Sequence, residues 1–584
     1  MKVERLRLLQ TWLLLALLPG AAAAIFYFGQ PSEPGRAAVL GLSLPRLFTG
    51  AFFLLILAGI LGLLLSSRRS PSKFSVLTSR LDERLNHPGT FLAACWAALS
   101  AVLICSEAYL LTYLSLPAHL RAWIIWSGWL ALLTLVGLIL LYPRQSNRLC
   151  ASIWERLRHP AHWGTPLQRK TFSILVLIGL VYFIIFIPPN LLNTKDLETF
   201  QKHGGDEKIT YPPLTWMLTP GSTAEETVYR LLIYEDYHYG YPFYALSALV
   251  ILPSRLVFGM DFAAHTQVNL LLLRQLISIL PMILAALLLV YLQTRFKAPL
   301  RAILIYLLLL SLPPVIGNNI RFWHPDALLT LSAVLVIAFL DRDQLRFGSS
   351  FFAAAVFCGL AAGIKLYGFF FFLAVGGYLL AGLRRRRVTW SGVLWRGAAF
   401  LLIMVLTIAL TNPFLFYQPA RQRMLDILAE KNQEMSTGYL QPDPYQIYQP
   451  GLAAWLPFLE DHYANVVFLG FLAVSLLVGG WKGRSPAVNW LTLAWFLPLS
   501  GYLFTFVAVK SVHYWLPVML PFFSGAFGLA DAADDAVGAT GKPPVISPIL
   551  WQVIWLVVLA VVSIQMITNL EKAIHTIAGS ISGA

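Results

Sequence analysis

At 584 residues, 58% hydrophobic and only 12% charged, the chain departs far from soluble domains, which are about 45–50% apolar and about 25% charged. That balance excludes a large soluble enzyme and points to an all-α polytopic membrane protein. The formal charge of +15 does not indicate nucleic acid as a partner: Lys and Arg cluster in short connections between apolar runs, the positive-inside bias, and no nucleic-acid motif accompanies them.

A spanning helix needs about 20 mostly apolar residues. Suitable runs occur near 8–28, 46–66, 90–114, 122–142, 171–188, 269–292, 299–316, 325–340, 349–365, 368–383, 395–411, 465–480, 488–508, 514–530 and 548–568. The first follows Lys2 to Arg7 and imitates a signal peptide, with Ala21 to Ala24 imitating a cleavage site. With so many spans downstream it reads as an uncleaved anchor. Basic connections carry Arg68, Arg69, Lys73, Arg80 and Arg84; then Arg144, Arg148, Arg156, Arg158, Arg169 and Lys170; then Arg295, Lys297 and Arg301; then Arg384 to Arg387; then Lys482 and Arg484. Their placement predicts that these face the cytoplasm. Asp531 to Lys542 is an acidic connection that does not help the assignment. Tyr241 to Phe258 is apolar too, but counting it as a span would put the four-arginine run outside. It is therefore expected as an interfacial or re-entrant helix. The expectation is about fifteen spans, with the N-terminus inside and the C-terminus outside. Residues 1–142 read as an accessory four-helix block, 143–170 as a basic connection, 171–568 as the membrane core and 569–584 as a tail. The cysteines, Cys95, Cys105, Cys150 and Cys358, form no disulfide framework or metal-ligand spacing.

The outward face then collects the loop 189–268, the turn Gly317 to Asp326, the hairpin tip at Lys365, the loop from Thr411 to about Tyr463 and the turn Lys510 to Tyr514. The stretch from Asn190 to Gly240 is the most polar. It holds six Asp or Glu between Asp196 and Glu226, then Glu235 and Asp236. Asp206 and Glu207, after Gly204-Gly205, suit a general base partly shielded from water, since burial raises a carboxylate's pKa. A solvated charge pair beside Lys208 is the plainer reading. Glu235 and Asp236 are interleaved with Tyr237, His238, Tyr239 and Tyr241, as on sugar-binding surfaces or at a membrane interface.

In Asn318 to Asp326, Pro325 suits a first helical turn and Asp326 a helix N-terminus. Arg321 and His324 are left over and could hold a phosphate or a sugar hydroxyl. Lys365, in Gly363-Ile364-Lys365-Leu366-Tyr367-Gly368, sits in an apolar hairpin. A lysine at mid-bilayer costs roughly 2.5–3.5 kcal/mol, so Lys365 either snorkels or meets a lipid-borne phosphate. Lys510, His513 and Tyr514 start another helix and either anchor at the interface or join the same cavity. Arg274 is a further phosphate candidate, or a partner of Asp261. A phosphate-binding Gly-rich loop, a zinc signature and a Gly-x-Ser-x-Gly elbow do not appear, which disfavours nucleotide-driven chemistry. No cofactor is expected; a divalent cation held by paired acids stays open.

These motifs occur in an order that resembles a family: Asp206-Glu207, Tyr239 to Tyr244 leading into an apolar helix, His324 to Asp326, Gly363 to Lys365, Asn412 to Phe414 and His513 to Pro517. The chain from roughly 170 to 530 resembles the membrane-embedded GT-C glycosyltransferases, near the protein O-mannosyltransferase and aminoarabinose-transferase group. The resemblance implies a polyprenyl-phosphate-linked sugar as donor. It also implies a lipid, glycan or protein hydroxyl as acceptor, and transfer on the outer face of the membrane. It makes Asp206 the expected base, with Asp236 as the alternative. A bacterial cytoplasmic membrane, with the site on the periplasmic or extracellular side, suits the compact outer loops. A secondary transporter or lipid flippase, or a lipid-linked glycan ligase or polymerase, are the competing expectations.

Overall fold

The computed structural model describes residues 73–112, 118–143, 164–203, 205–438, 448–538 and 547–582, with a few isolated positions before 60 and at 145. The runs at 8–28 and 46–66, Cys150 and most of the connection 143–170 lie outside the described residues. No strand occurs among the described residues, and nearly all of the chain there is helix. The protein is an all-α polytopic membrane protein. Ten described helices are long and apolar enough to cross a membrane, or up to twelve if two bent pairs each count once.

Two of the expected runs lie outside the described residues, and the remaining difference has local causes. The run 299–316 bends by 60° between Pro299–Leu310 and Pro313–Asn319. Pro313 and Pro314 lack the N–H groups that would continue the first helix. The run 465–480 follows Leu452–His462 at a 95° bend, where Asn465 caps the second helix by accepting from Phe468 N. Ser349–Ile364 is apolar but short. Asp326–Asp343 carries Asp326, Asp341, Arg342 and Asp343 and falls outside the set of candidate spans. Tyr241–Ala264, expected at the interface, has the length and composition of a span. The expected tail at 569–584 continues one helix, Pro548–Ser582.

Two compact units make up the chain: Met1–Ala161 with Phe347–Phe352 and Ala399–Tyr417, and His162–Arg346 with Ala353–Ala398 and Gln418–Ala584. In the first, Pro88–Thr112 and Ala118–Leu141 pack along each other. Leu85, Phe91, Ala98, Leu138 and Tyr142 form its core, and the Tyr142 hydroxyl donates to Asp82 at 2.9 Å. Short later segments belong to this unit through close contacts. A Cβ on Gly89 would lie 2.7 Å from the Gly348 carbonyl carbon, and Trp96 donates to Thr407 at 3.3 Å.

The second unit is built around its most enclosed helices. The span Val512–Ala533 is 94% buried and Thr266–Thr294 is 67% buried. Pro166–Leu191 and Ile549–Ala578 are only 22% buried despite high hydropathy, as expected where apolar side chains face lipid rather than protein. At one end of the unit, Arg295 pairs with Asp341 and Arg301 with Asp531. The acidic stretch that obscured the charge pattern is thus, at Asp531, an internal counter-charge for a basic connection. The opposite ends of Thr266–Thr294 and Asp326–Asp343 lead to the polar site.

Candidate active site

The polar stretch Asn190 to Gly240 is a series of short helices rather than an open loop: Leu197–His203, Glu207–Met217 and Ala224–Leu232. Several of its acids work at helix ends. Asp196 accepts from Thr199 N at 2.8 Å. Glu226 accepts from Ser222 and Arg230, which pull its carboxyl down to about 2.

The neighbours Asp206 and Glu207 point to different environments. Asp206 is exposed at the N-cap of Glu207–Met217, and its side chain makes no capping hydrogen bond. It lines a cavity of about 520 Å³. Glu207 is 1% exposed and lies away from that cavity. It takes two hydrogen bonds from Arg274 and one from Trp323 N at 2.6 Å. Arg274 also donates to Asn190 O at 2.7 Å, and Asn190 Oδ1 accepts from Arg321 N at 2.7 Å. Glu207 and Arg274 therefore clamp the polar stretch onto the turn Asn318 to Asp326; Arg274 is paired with Glu207 rather than Asp261. Removing one partner of a buried ion pair strands the other charge, at about 3–5 kcal/mol. Glu207→Gln and Arg274→Met are each expected to lower the thermal midpoint in detergent and the yield of monodisperse protein.

The second acidic pair also divides. Glu235 adopts a left-handed φ of 66° and is exposed, away from the cavity. Asp236 is 7% exposed. It accepts from the Tyr244 hydroxyl, from His238 N at 3.3 Å and from His238 Nδ1 at 2.5 Å. His238 and Tyr239 line the cavity with it. Neither adjacent acid pair converges on one point.

From the turn before Asp326–Asp343, His324 enters the cavity wall. It is stacked on Phe322 with centroids 4.6 Å apart and bonded to the Tyr239 hydroxyl at 2.6 Å. Burial holds its imidazole below the ordinary value, against the opposing pull of Asp326. Asp326 is 0% exposed and is the first residue of its helix, after Pro325. Its carboxylate meets Lys365 Nζ at 2.8 Å and His324 Nδ1. Arg321 has a left-handed φ of 52° and does not line the cavity.

Lys365 breaks the helix Ser349–Ile364 in an extended conformation and lies 5.3 Å from the Tyr367 ring centre and 5.5 Å from that of Tyr514. Its hairpin closes against itself at Gly368, where a Cβ would come within 2.3–2.5 Å of Ala361 and Ala362 backbone atoms. Gly368→Ala is expected to force the hairpin apart, cost about 1–3 kcal/mol by overpacking and displace Lys365. Thermal unfolding in detergent and turnover should fall together.

Lys510 donates to Gln449 O at 2.7 Å and Ala508 O at 2.9 Å. His513 is bonded to Ser511 Oγ at 2.8 Å from Nδ1, and Tyr514 lies edge-on to it at 4.6 Å. All three line the cavity. Sequence reasoning missed one wall. Ile427, Leu428, Lys431, Asn432 and Met435 line it from Gln418–Thr437. Their spacing marks one face of a helix, a signal available in a stretch that reads as an outer loop.

The cavity thus joins Asp206, Asp236, His238, Tyr239, His324, Lys365, Lys510, His513 and Tyr514 with Lys431, while Glu207, Glu235 and Arg321 lie outside it and Asp326 lies behind Lys365. Three lysines and two carboxylates line it, Lys365 being paired with Asp326 and Lys431 with Glu434, and Ile209, Leu366, Phe370 and Tyr502 give the wall an apolar part. Comparisons with protein-family models, with curated proteins and with solved structures return no match for this chain.

Proposed function

We propose that the protein is a GT-C-type glycosyltransferase that moves a sugar from a polyprenyl phosphate to an acceptor hydroxyl, with inversion, on the outer side of a bacterial cytoplasmic membrane. The observation that carries this reading is a single cavity sharing an exposed carboxylate, Asp206, three lysines and an apolar wall. A lipid-borne phosphate sugar needs each of these. Leu366 and Phe370 belong to one candidate span and Tyr502 to another, so a prenyl chain held by them need not leave the membrane. The exposed Arg384 to Arg387 end the span that Leu366 begins, which supports a cytoplasmic end opposite the cavity.

In this reading Asp206 takes the proton of the acceptor hydroxyl. The oxygen attacks the anomeric carbon opposite the phosphate. The bond from that carbon to the phosphate oxygen breaks, and the electron pair leaves with the phosphate. Lys365, Lys431 and Lys510 offset its growing charge, the electrostatic contribution that usually dominates. Tyr239, Tyr367 and Tyr514 offer ring faces to the sugar. Asp236 holds His238 at the acceptor side.

The test is incubation of purified protein with labelled polyprenyl-phosphate sugars in the absence of nucleotide. Label moving to lipid, glycan or protein acceptors supports transfer. Label that crosses sealed vesicles on an unaltered donor supports the transporter instead.

A further inference from the structure

We infer that His324, Asp326 and His513 form a site for one divalent transition metal of the zinc type, opening into the cavity. One ligand atom from each lies within 4.8 Å of the others. The three come from the turn before Asp326–Asp343 and from the 3-10 turn Val512–Trp515, and their imidazole rings are 4.8 Å apart between centroids.

Two observations beyond proximity point to a ligand. First, His324 Nδ1 and Asp326 Oδ2 are buried and meet as an ion pair, so an imidazole and a carboxylate are already gathered with His513 in reach. The residues are 2% and 0% exposed. Second, the remaining polar atom of each candidate ligand is held from behind. The Tyr239 hydroxyl lies 2.6 Å from His324 Nε2, Ser511 Oγ lies 2.8 Å from His513 Nδ1, and Lys365 Nζ lies 2.8 Å from Asp326 Oδ1. With those ring nitrogens protonated and donating, the lone pairs of His324 Nδ1 and His513 Nε2 are left for a metal, Ser511 Oγ lying farther from His513 Nε2, at 3.4 Å. Outer partners of this kind fix the tautomer and orientation of metal ligands.

The donor set selects the metal. Two imidazole nitrogens and one carboxylate oxygen suit zinc and its neighbours, whereas magnesium and calcium prefer oxygen alone. Three protein ligands leave a fourth position open. His324 and His513 line the cavity, so that position would open to the cavity, where a water or an anionic oxygen could complete the four ligands. This place differs from the adjacent acid pairs, for which the sequence leaves a divalent cation open without making it expected. The assignment does not rest on the sugar-transfer reading.

The test uses the full chain in detergent, carrying an affinity tag without histidine, stripped with chelator and titrated with Co(II) and then Zn(II). One Co(II) per chain, with the visible bands of a four-coordinate ion that zinc displaces, is the expected result. Tyr239→Phe and Ser511→Ala, which retain the three ligands, should weaken binding by roughly 10–100-fold, and His513→Gln should abolish it. Binding well below one equivalent in the wild type overturns the site, as does unchanged affinity in folded His513→Gln protein. If His513→Gln does not fold, X-ray absorption at the zinc edge of the wild type decides. Two imidazole shells at about 2.0–2.1 Å support the assignment. A shell with sulfur, or with oxygen alone, overturns it.

Discussion

Asp206→Asn is expected to lower turnover by about 10²–10⁴-fold, the usual contribution of a general base, while leaving the thermal midpoint in place. The split follows from where the carboxylate sits. It is exposed on the cavity wall and makes no capping hydrogen bond, so its charge supports little of the fold. Asparagine is equally acceptable at an N-cap. It has almost the same shape but cannot take a proton. Asp236→Asn should behave in the opposite way. Its carboxylate is buried and accepts from Tyr244, His238 N and His238 Nδ1. An amide cannot satisfy all three donors, at about 1–3 kcal/mol for a buried group left unpaired. Initial rates at saturating donor, set beside thermal unfolding in detergent, separate the two. Full turnover in Asp206→Asn with a specific loss in folded Asp236→Asn would pass the base role to the Asp236–His238 pair.

The helical class and most long helices were legible because apolar length is a local property. The breaks were less so: Pro313-Pro314 is visible as a stop, but whether a chain bends or ends there depends on what it packs against. Long-range pairs such as Arg301 with Asp531 leave no trace in spacing. Within the site, residue type was readable and direction was not. Asp206 and Glu207 are adjacent and chemically alike, yet one lines the cavity and the other is drawn into the core by Arg274. Glu235 and Arg321 have left-handed φ values, a backbone choice that non-glycine residues seldom make and that sequence seldom announces. Neither side chain lines the cavity. The wall from Gln418–Thr437 carried a usable signal. Ile427, Leu428, Lys431, Asn432 and Met435 repeat with helical spacing, but the polar residues between them conceal it.

Lys365→Met is expected to destabilise the fold strongly, and adding Asp326→Asn is expected to return most of the stability without returning turnover. Asp326 is 0% exposed and Lys365 side chain only 12% exposed, with Nζ and Oδ1 2.8 Å apart. Taking away the ammonium strands a carboxylate in the interior beside His324, at about 3–5 kcal/mol, whereas removing both charges can be close to neutral. A double-mutant cycle read by thermal unfolding in detergent should therefore show strong coupling between the positions. Equal midpoints for the single and double variants would mean that the pair is not coupled. Turnover has a different dependence. The charge growing on the departing phosphate needs a cation in place, and neither variant supplies one at 365. Donor affinity measured on Lys365→Met well below its midpoint isolates that contribution from unfolding. Should turnover recover along with stability in the double variant, Lys365 serves only to balance Asp326, and the phosphate must be met by Lys431 and Lys510 alone.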